Sequence, residues 1–419
     1  MSIFFEIVSG IFLPFFLVAF GVIFSIKFKF FYFIHPIKLV KDICKNKNGG
    51  FRALSVALAG TLGIGNIVGV ASAIIMGGAG SIFWMWVSAL CAMSLKYAEV
   101  VLAMRFRRQE SGNFHGGAFY YINDGFTNKI GKKPAYFLSC IFAILCVINS
   151  LTTGNLVQIN SVSSLLPINS LIFGIMFAAL AFVIIIGGYK RISKITSYLI
   201  PCLTVIYVVA CLFIIFSSLE ECKTALITIF KSAFSLKSVS GGVTGYTVSM
   251  AIRYGVARGV ISNEAGCGTS PCAHASSKST DAHSQGCLGI FEVFVDTILL
   301  CTLTAMVILI SQSKENNPTM LVLSSFKYFL GDGGKLLITI ISILFAFATV
   351  LCQFFYGAEA LRYISKSKKV KTMFLFIFSL VTVIGAVIPM ALMWQISDFA
   401  ISMLTIMNVI CLFVLRNQI

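Results

Sequence analysis

Residues 60–74 read Gly60-Thr61-Leu62-Gly63-Ile64-Gly65-Asn66-Ile67-Val68-Gly69-Val70-Ala71-Ser72-Ala73-Ile74, an apolar run broken by glycines and one asparagine. A second run, residues 255–268, reads GVARGVISNEAGCG and sets Ser262, Asn263 and Glu264 between glycines. Both lie within stretches long enough to cross a hydrocarbon core of about 30 Å. Glycine is costly in a helix interior, and polar groups are costlier still in lipid. Their co-occurrence at mid-span predicts backbone that unwinds around a buried aqueous site.

The rest of the chain supports a membrane setting. Of 419 residues, 58% are hydrophobic and 11% charged, against about 25% charged in a soluble domain. So little charge cannot cover a water-soluble surface, which excludes a soluble enzyme, a nucleic-acid binder and a disordered scaffold. The net charge of +17 therefore reports topology rather than phosphate binding. The thirteen cysteines fall mostly in apolar runs without regular spacing, as small apolar filler does. No cleavable N-terminal signal is evident, and the apolar N-terminal stretch reads as a membrane helix.

Eleven apolar segments are predicted to span, at about 5–27, 52–76, 80–103, 134–163, 168–188, 193–216, 241–272, 286–310, 334–360, 372–391 and 393–416. Orientation follows from the connecting charges. With the N-terminus outside, the outer segments hold only Lys223, Lys231, Lys237, Lys314, Lys327 and Lys335. Lys96, Arg253 and Arg258 fall within spans, and the remaining Lys and Arg of the 32 lie inside. That asymmetry predicts N-out and C-in. Residues 28–50, aromatic and basic around Pro36, are expected along the inner membrane surface. The loop 105–133, with GNFHGGAFYYINDGF, is too polar and Gly-rich to span. Residues 1–419 form one membrane unit.

Taken as two five-helix halves, about 52–216 and 241–416 behind the extra helix 5–27, each half begins with an interrupted span. The two spans run in opposite directions, as an inverted repeat requires. Interrupted segments at matching positions are a pointer to a transporter site. The halves share no evident residue similarity, so the repeat rests on topology. Half-helix N-termini attract a carboxylate, and bare carbonyls attract an ammonium or Na⁺. A neutral amino acid then needs no intramembrane carboxylate. Gly65-x-x-x-Gly69 taken alone is also a packing motif. Gly63-x-Gly65-x-x-x-Gly69 lies in no βαβ unit, so a dinucleotide loop is rejected.

Further blocks carry a resemblance: GTLGIGNIVGVASAI (60–74), GGAGSIFWMWVSALCAMSLKYAE (77–99), GGAFYYI (116–122), GNLVQINS (154–161), GGYKRISKITSYLIP (187–201), GGVTGYTVSMAIRYGVARGVISNEAGCGTSPCAHA (241–275) and QGCLGIFEVFVDTILLCTLTA (285–305). In order and content these resemble the alanine or glycine:cation (sodium:alanine) symporter family, within the leucine-transporter fold superfamily. The resemblance implies an all-α, multi-pass protein of a prokaryotic cytoplasmic (cell inner) membrane. It implies Na⁺-driven uptake of a small neutral amino acid, alanine or glycine, by alternating access. Carried over by position, Gly63, Gly65 and Asn66 fall in the first unwound segment, and Ser262, Asn263, Glu264 and Gly266 in the second. Gln158 matches the family's GN-x-x-Q-x-N glutamine and is a substrate-contact candidate. Phe347-Ala348-Thr349 matches a Phe-Ser-Thr pattern beside substrate and ion, which makes Thr349, with Thr61, an ion candidate.

Departures accompany the match. The family usually carries proline at Ala79, threonine at Leu95 and Gly-Ser-Ala-Pro at residues 268–271. In FAFATVLCQFFYGAE (345–359) Gln353 stands where tryptophan is expected, one turn from Thr349. Ala348 replaces a serine, and Ala358 sits at the glutamate position with Glu359 one residue late. An amide in place of an indole predicts a larger or more polar neutral substrate, such as glutamine or serine, with Gln353 at the pocket wall.

The remaining polar residues admit two readings each. Glu264 is either near substrate and ion or a structural partner of Arg258 or Arg253. Asp296, with Glu292 one turn earlier, is either a proton-coupling acid or a hydrogen-bonded structural one. Lys96 and Glu99 are expected to snorkel or pair, and Lys190 and Arg191 to anchor the inner surface. Asn149, Asn155, Gln158 and Asn160 polarise one helix; Trp84 and Trp86 suit an aromatic belt. His274, His283, Cys267 and Cys272 match no zinc spacing, and no Ser–His–acid set stands out. A membrane enzyme or passive channel is the different-class alternative. The reading is thus a symporter with Na⁺ as co-transported ion, no organic cofactor and no other metal. Its partners are a small neutral amino acid and the lipid bilayer, without nucleic acid and with no particular oligomeric state implied. H⁺ coupling through Asp296 or Glu264 is the runner-up.

Overall fold

The computed structural model describes residues 12–44, 50–110, 112–234 and 248–419. Parts of three sequence expectations, 5–11 of the first span, 45–49 of the surface segment and 241–247 of the seventh span, lie outside the described residues. The described chain is helical, with one short antiparallel hairpin.

The order begins α1 (Leu13–Lys27), α2 (Phe31–Ile34) and α3 (Pro36–Cys44). The first interrupted span follows as α4 (Gly50–Thr61), a 3₁₀ turn at Ile64–Asn66, and α5 (Val68–Gly77). Next come α6 (Gly80–Arg105), β1 (Arg108–Glu110), β2 (Asn113–His115) and α7 (Ala118–Ile130). Then α8 (Lys132–Ser163), α9 (Ser170–Ile186), α10 (Gly188–Ser217) and α11 (Leu219–Ala233) complete the first half of the chain. The second interrupted span is α12 (Val248–Asn263) and α13 (Pro271–Ala275), with non-helical backbone between. The chain continues through α14 (Ala282–Ser311), α15 (Pro318–Ile364), α16 (Lys368–Gly385) and α17 (Met390–Val414).

Six of the described helices, α6, α8, α10, α14, α15 and α17, are long and apolar enough to cross a membrane, while α1, α5 and α9 are shorter and apolar. Their burial sorts them into layers. In its most apolar stretch α6 is 78% buried and α10 only 28%, so α6 is central and α10 peripheral. Ile206, Val209, Phe213 and Phe216 of α10, like Ile172, Met176 and Val183 of α9, remain exposed. Such rows suit lipid rather than water. The central helix packs against α12, α14 and α1. On α12, a Cβ added to Gly255 would fall 2.2 Å from the Ser81 carbonyl oxygen of α6, so only glycine permits that approach.

Three helices were not foreseen. The polar loop 105–133 folds into the β1–β2 hairpin and α7, whose Phe119, Tyr120, Tyr121 and Ile122 are buried. The amphipathic α11 caps α6 and the C-terminal part of α14. The segment 318–330 is helical, and α15 breaks after it at Gly331, where φ is +62°. None of the three is an apolar run of spanning length, so a search for spans passes over them.

Candidate functional site

The first interruption is held open by its own asparagine. Gly63 N–H donates to Asn66 Oδ1 at 3.0 Å, and Ile64 N–H donates to Gln158 Oε1 at 3.0 Å. A Cβ at Gly63 would lie 2.6 Å from both Gln158 Oε1 and Thr349 Oγ1, so three elements meet at this residue. Gly65 faces Ser262, whose Cα would lie 3.2 Å from an added Cβ.

In the second interruption Glu264 has φ +48°, a left-handed backbone uncommon for a residue with a side chain. Gly266 and Gly268 also have positive φ. The freed backbone groups find partners: Gly268 N–H donates to Glu99 Oε1 at 2.8 Å, and the Gly266 carbonyl accepts from Asn408 Nδ2 at 2.9 Å. Asn408 also donates to Glu99 and accepts from the Tyr121 hydroxyl.

One polar cluster braces the two breaks. Asn66 Nδ2 lies 2.9 Å from Ser262 Oγ, 2.9 Å from the Asp296 carbonyl oxygen and 2.8 Å from Asp296 Oδ1. Ser262 and Thr297 hydroxyls donate to Asp296 Oδ2 at 2.8 and 2.7 Å. Asn263 donates to Thr297 at 3.0 Å and accepts from Ala265 N–H at 2.9 Å. Asp296 lies in a π-helical stretch of α14, Phe294–Cys301. A second such stretch, Thr152–Leu156, precedes Gln158 in α8. π-bulges of this kind concentrate at functional sites.

The third wall is α15. Thr349 Oγ1 donates to its own-helix Phe345 carbonyl at 3.0 Å and lies 3.2 Å from the Leu62 carbonyl oxygen. Gln353 Nε2 donates to Glu264 Oε1 at 2.6 Å and to the Gly60 carbonyl at 3.2 Å. The Gln353 amide oxygen is buried and has no hydrogen-bond partner among the described residues. Glu264 Oε2 accepts from Thr269 at 2.5 Å. Thr61 turns its hydroxyl back onto the Ala57 and Leu58 carbonyls of α4.

The structure thus brings together Gly63, Gly65, Asn66, Gln158, Ser262, Asn263, Glu264, Asp296, Thr349 and Gln353, all buried. Thr61 and Gly266 stand one step outside this contact network. Some expected partners are corrected. Arg258 pairs with Asp398 at 2.7 Å and stacks over Trp394, so it does not neutralise Glu264. Lys96 does not snorkel: it is fully buried, paired with Glu292 at 3.2 Å and bonded to Ser270 at 2.7 Å. His274 closes that group against the other Glu292 oxygen at 3.1 Å. Trp84 and Trp86 donate to the Ala233 carbonyl and Thr302. Asn408 and Thr297 were missed, although each carries the signal of a polar side chain in an apolar span.

Below Gln353, starting at Phe354 and Phe355, lies a cavity of about 900 Å³. Its lining is basic, with Arg52, Lys190, Lys194, Lys278, Arg362, Lys366, Lys368 and Lys371 against Glu359. The β1–β2 hairpin forms part of its rim. His115 Nδ1 lies 2.8 Å from Glu359, and Glu110 accepts from Arg362 and Lys366 at 3.0 and 2.9 Å. Those two cations hold the Glu110 carboxyl down at about 2.

This arrangement forms no bond-breaking constellation; it is a set of carbonyls, amides and hydroxyls where two helices unwind. The model of the sodium:alanine symporter family matches residues 1–419. The chain belongs to that family. Its members are Na⁺-coupled amino-acid symporters of multi-pass membrane type, not enzymes. A "Sodium/alanine symporter AgcS" of Methanococcus maripaludis is 36% identical over 381 residues, 88% of this chain and 82% of that protein. A "Probable sodium/glutamine symporter GlnT" of Bacillus subtilis is 30% identical over 421 residues, 96% of this chain and 85% of the relative. A Na⁺-coupled sialic acid symporter, solved substrate-bound and outward-open, superposes with a TM-score of 0.55 at 12% identity, covering 91% of this chain and 82% of that one. At that identity the likeness is one of fold, the leucine-transporter-like fold of this symporter family.

Proposed function

We propose that this symporter carries a small neutral amino acid of the alanine or glycine type together with Na⁺, by alternating access. The observation that carries the reading is the meeting of the first helix break with Gln158 and Thr349 at Gly63 and with Ser262 of the second break at Gly65 and Asn66. The substrate would bind between the breaks, with its carboxylate toward the unwound backbone at Gly63–Asn66, taking the place of the Asn66 and Gln158 oxygens that accept the Gly63 and Ile64 N–H groups. Na⁺ would sit between the Leu62 carbonyl and the Thr349 hydroxyl, oxygens already 3.2 Å apart. A hard cation requires such oxygen donors. The ion's charge crossing the membrane supplies about 2.3 kcal/mol per 100 mV.

A second reading of substrate has its own support. The unpartnered Gln353 oxygen is a buried acceptor at the site, and leaving it unmet costs about 1–3 kcal/mol. A substrate side chain with an N–H or O–H, as in glutamine or serine, would satisfy it. H⁺ in place of Na⁺ through Asp296 has less support, because three side chains already donate to that carboxylate.

The architecture proposed with this function has eleven spanning helices, α1 as the extra one, and two inverted five-helix repeats over about 52–216 and 241–416. In support, each half runs as a broken helix, a long helix, a short helix (α7 or 318–330) and three further helices, with α11 as an addition between the halves. The N-terminus would lie outside, with the basic cavity facing the cytoplasm and α2–α3 along the inner membrane surface.

The test is uptake of labelled alanine, glycine, serine and glutamine into proteoliposomes with and without an inward Na⁺ gradient. Na⁺-stimulated alanine or glycine uptake is expected. Na⁺-stimulated glutamine uptake alone would transfer the assignment to the second reading. Uptake of any of them indifferent to Na⁺ would overturn the coupling.

A further inference from the structure

Away from the helix breaks, Asp42 of α3 meets His283 and Cys287 of α14, with one potential ligand atom from each within 4.8 Å of the others. His283 Nε2 lies 3.4 Å from Asp42 Oδ2 and 3.7 Å from Cys287 Sγ. We propose that these three side chains bind a transition-metal cation of the Zn²⁺ class, which would fasten α3 to the N-terminal end of α14.

The donor chemistry and the distances agree. Zinc takes imidazole nitrogen, carboxylate oxygen and thiolate sulfur in a tetrahedron, at about 2.0–2.2 Å to N and O and about 2.3 Å to S. Such a tetrahedron has N–O and N–S edges of about 3.4 and 3.6 Å, close to the separations already present. His283 and Cys287 are four residues apart on one helix, which puts both on one face.

The imidazole is also held in position. Its Nδ1 lies 2.8 Å from the Tyr97 hydroxyl, and the Tyr97 and Phe31 rings flank it, each with a centroid 5.8 Å away. Nδ1–H donation to Tyr97 leaves the Nε2 lone pair for the metal, the arrangement that metal-bound histidines usually have. Asp42 and Cys287 are buried, whereas the His283 side chain is 45% exposed. The exposed side provides a route of entry and room for water as fourth ligand. Coordination replaces the Cys287 S–H bond by an S–metal bond and releases one proton to water. Sequence spacing conceals the site, because Asp42 lies 241 residues before His283.

Co²⁺ titration of the purified full chain in detergent tests this. A thiolate-to-cobalt charge-transfer absorption is expected, saturating at one ion per chain and displaced by Zn²⁺. It should vanish in Cys287→Ser, while His283→Gln and Tyr97→Phe should weaken apparent Co²⁺ affinity by about 10–100-fold. No such absorption from the native chain, or one that persists in Cys287→Ser through another of the thirteen cysteines, would overturn the site. Should Cys287→Ser fail to give monodisperse protein, His283→Gln decides the matter, since its side chain is half-exposed. An unchanged affinity there would equally refute the assignment.

Discussion

The side-chain amide of Gln353 donates a 2.6 Å hydrogen bond to the carboxylate of Glu264, joining α15 to the non-helical backbone of the second helix break. Glu264 itself has left-handed φ, so a side-chain contact helps hold a conformation that the backbone alone disfavours. Removing the amide leaves a buried carboxylate oxygen with one donor fewer, at a cost of about 1–3 kcal/mol. Gln353→Ala is therefore expected to reduce Na⁺-driven uptake by about tenfold or more, with Gln353→Glu no better because it sets two carboxyls together. Initial uptake rates in proteoliposomes read this directly.

Gln353→Trp addresses specificity. It removes the unpartnered acceptor and restores the indole that the family resemblance leads one to expect. Alanine uptake should persist while glutamine or serine competes less effectively. Unchanged competition by both amino acids would remove Gln353 from the specificity argument.

Gly154 and Gln353 should behave as a coupled pair. A Cβ at Gly154 would lie 2.4 Å from Gln353 Cγ, so Gly154→Ala must push the glutamine off Glu264. Its effect on uptake should match that of Gln353→Ala, and the double variant should be no worse than either. A double-mutant cycle that summed to additive losses would show that the two act independently.

At Thr349 the expected defect is in ion affinity. Loss of the hydroxyl beside the Leu62 carbonyl should raise the Na⁺ concentration for half-maximal uptake several-fold, with the maximal rate recovered at high Na⁺. Thr349→Ser retains the oxygen and should stay near the native value. Na⁺ titration of uptake separates these cases from a simple loss of folded protein.

Asn66 offers a stability comparison. Asn66→Ala strips donors from Ser262 and Asp296, at about 1–3 kcal/mol for a buried group left unmet. Asn66→Asp places a second carboxylate 2.8 Å from Asp296 and should be worse, since like charges there repel without water. Thermal unfolding in detergent should rank native above Ala above Asp.

The hairpin rim gives a pH test. Lys366 and Arg362 lower the Glu110 carboxyl from 4.5 to about 2. A depressed carboxylate contributes stability that is complete above its unfolded value and is lost as pH falls through the folded one. Hydrogen exchange of 108–115 should therefore show the same protection from this contact between pH 5 and 8. Protection should weaken between about 4.5 and 2, and Glu110→Gln should abolish that dependence.

Both helix breaks were legible because glycine and polar side chains at mid-span have few other uses. The six long apolar helices were legible from apolar length alone. The helix 118–130 was not, since its burial depends on packing against α8 rather than on lipid. The π-helical stretches at 152–156 and 294–301 leave no compositional trace. Partner identities failed where the pair is distant in sequence. Lys96 pairs, one of the two outcomes its sequence allows, but its partner is Glu292, 196 residues on. Spacing within one helix cannot reveal which neighbouring helix will supply a counter-charge.

The contact at Gly255 has a mechanical consequence. With the Ser81 carbonyl so close that a single methyl would collide with it, α12 has no clearance to slide along α6. The two helices must travel as one lever. Reorientation of α13 against that lever has to be taken up by dihedral rotation between Asn263 and Pro271, where Glu264, Gly266 and Gly268 already occupy positive φ. The second break, proposed above as one side of the substrate site, would then also be the pivot, and stiffening it, for example with Gly266→Ala, should slow turnover even where binding is intact.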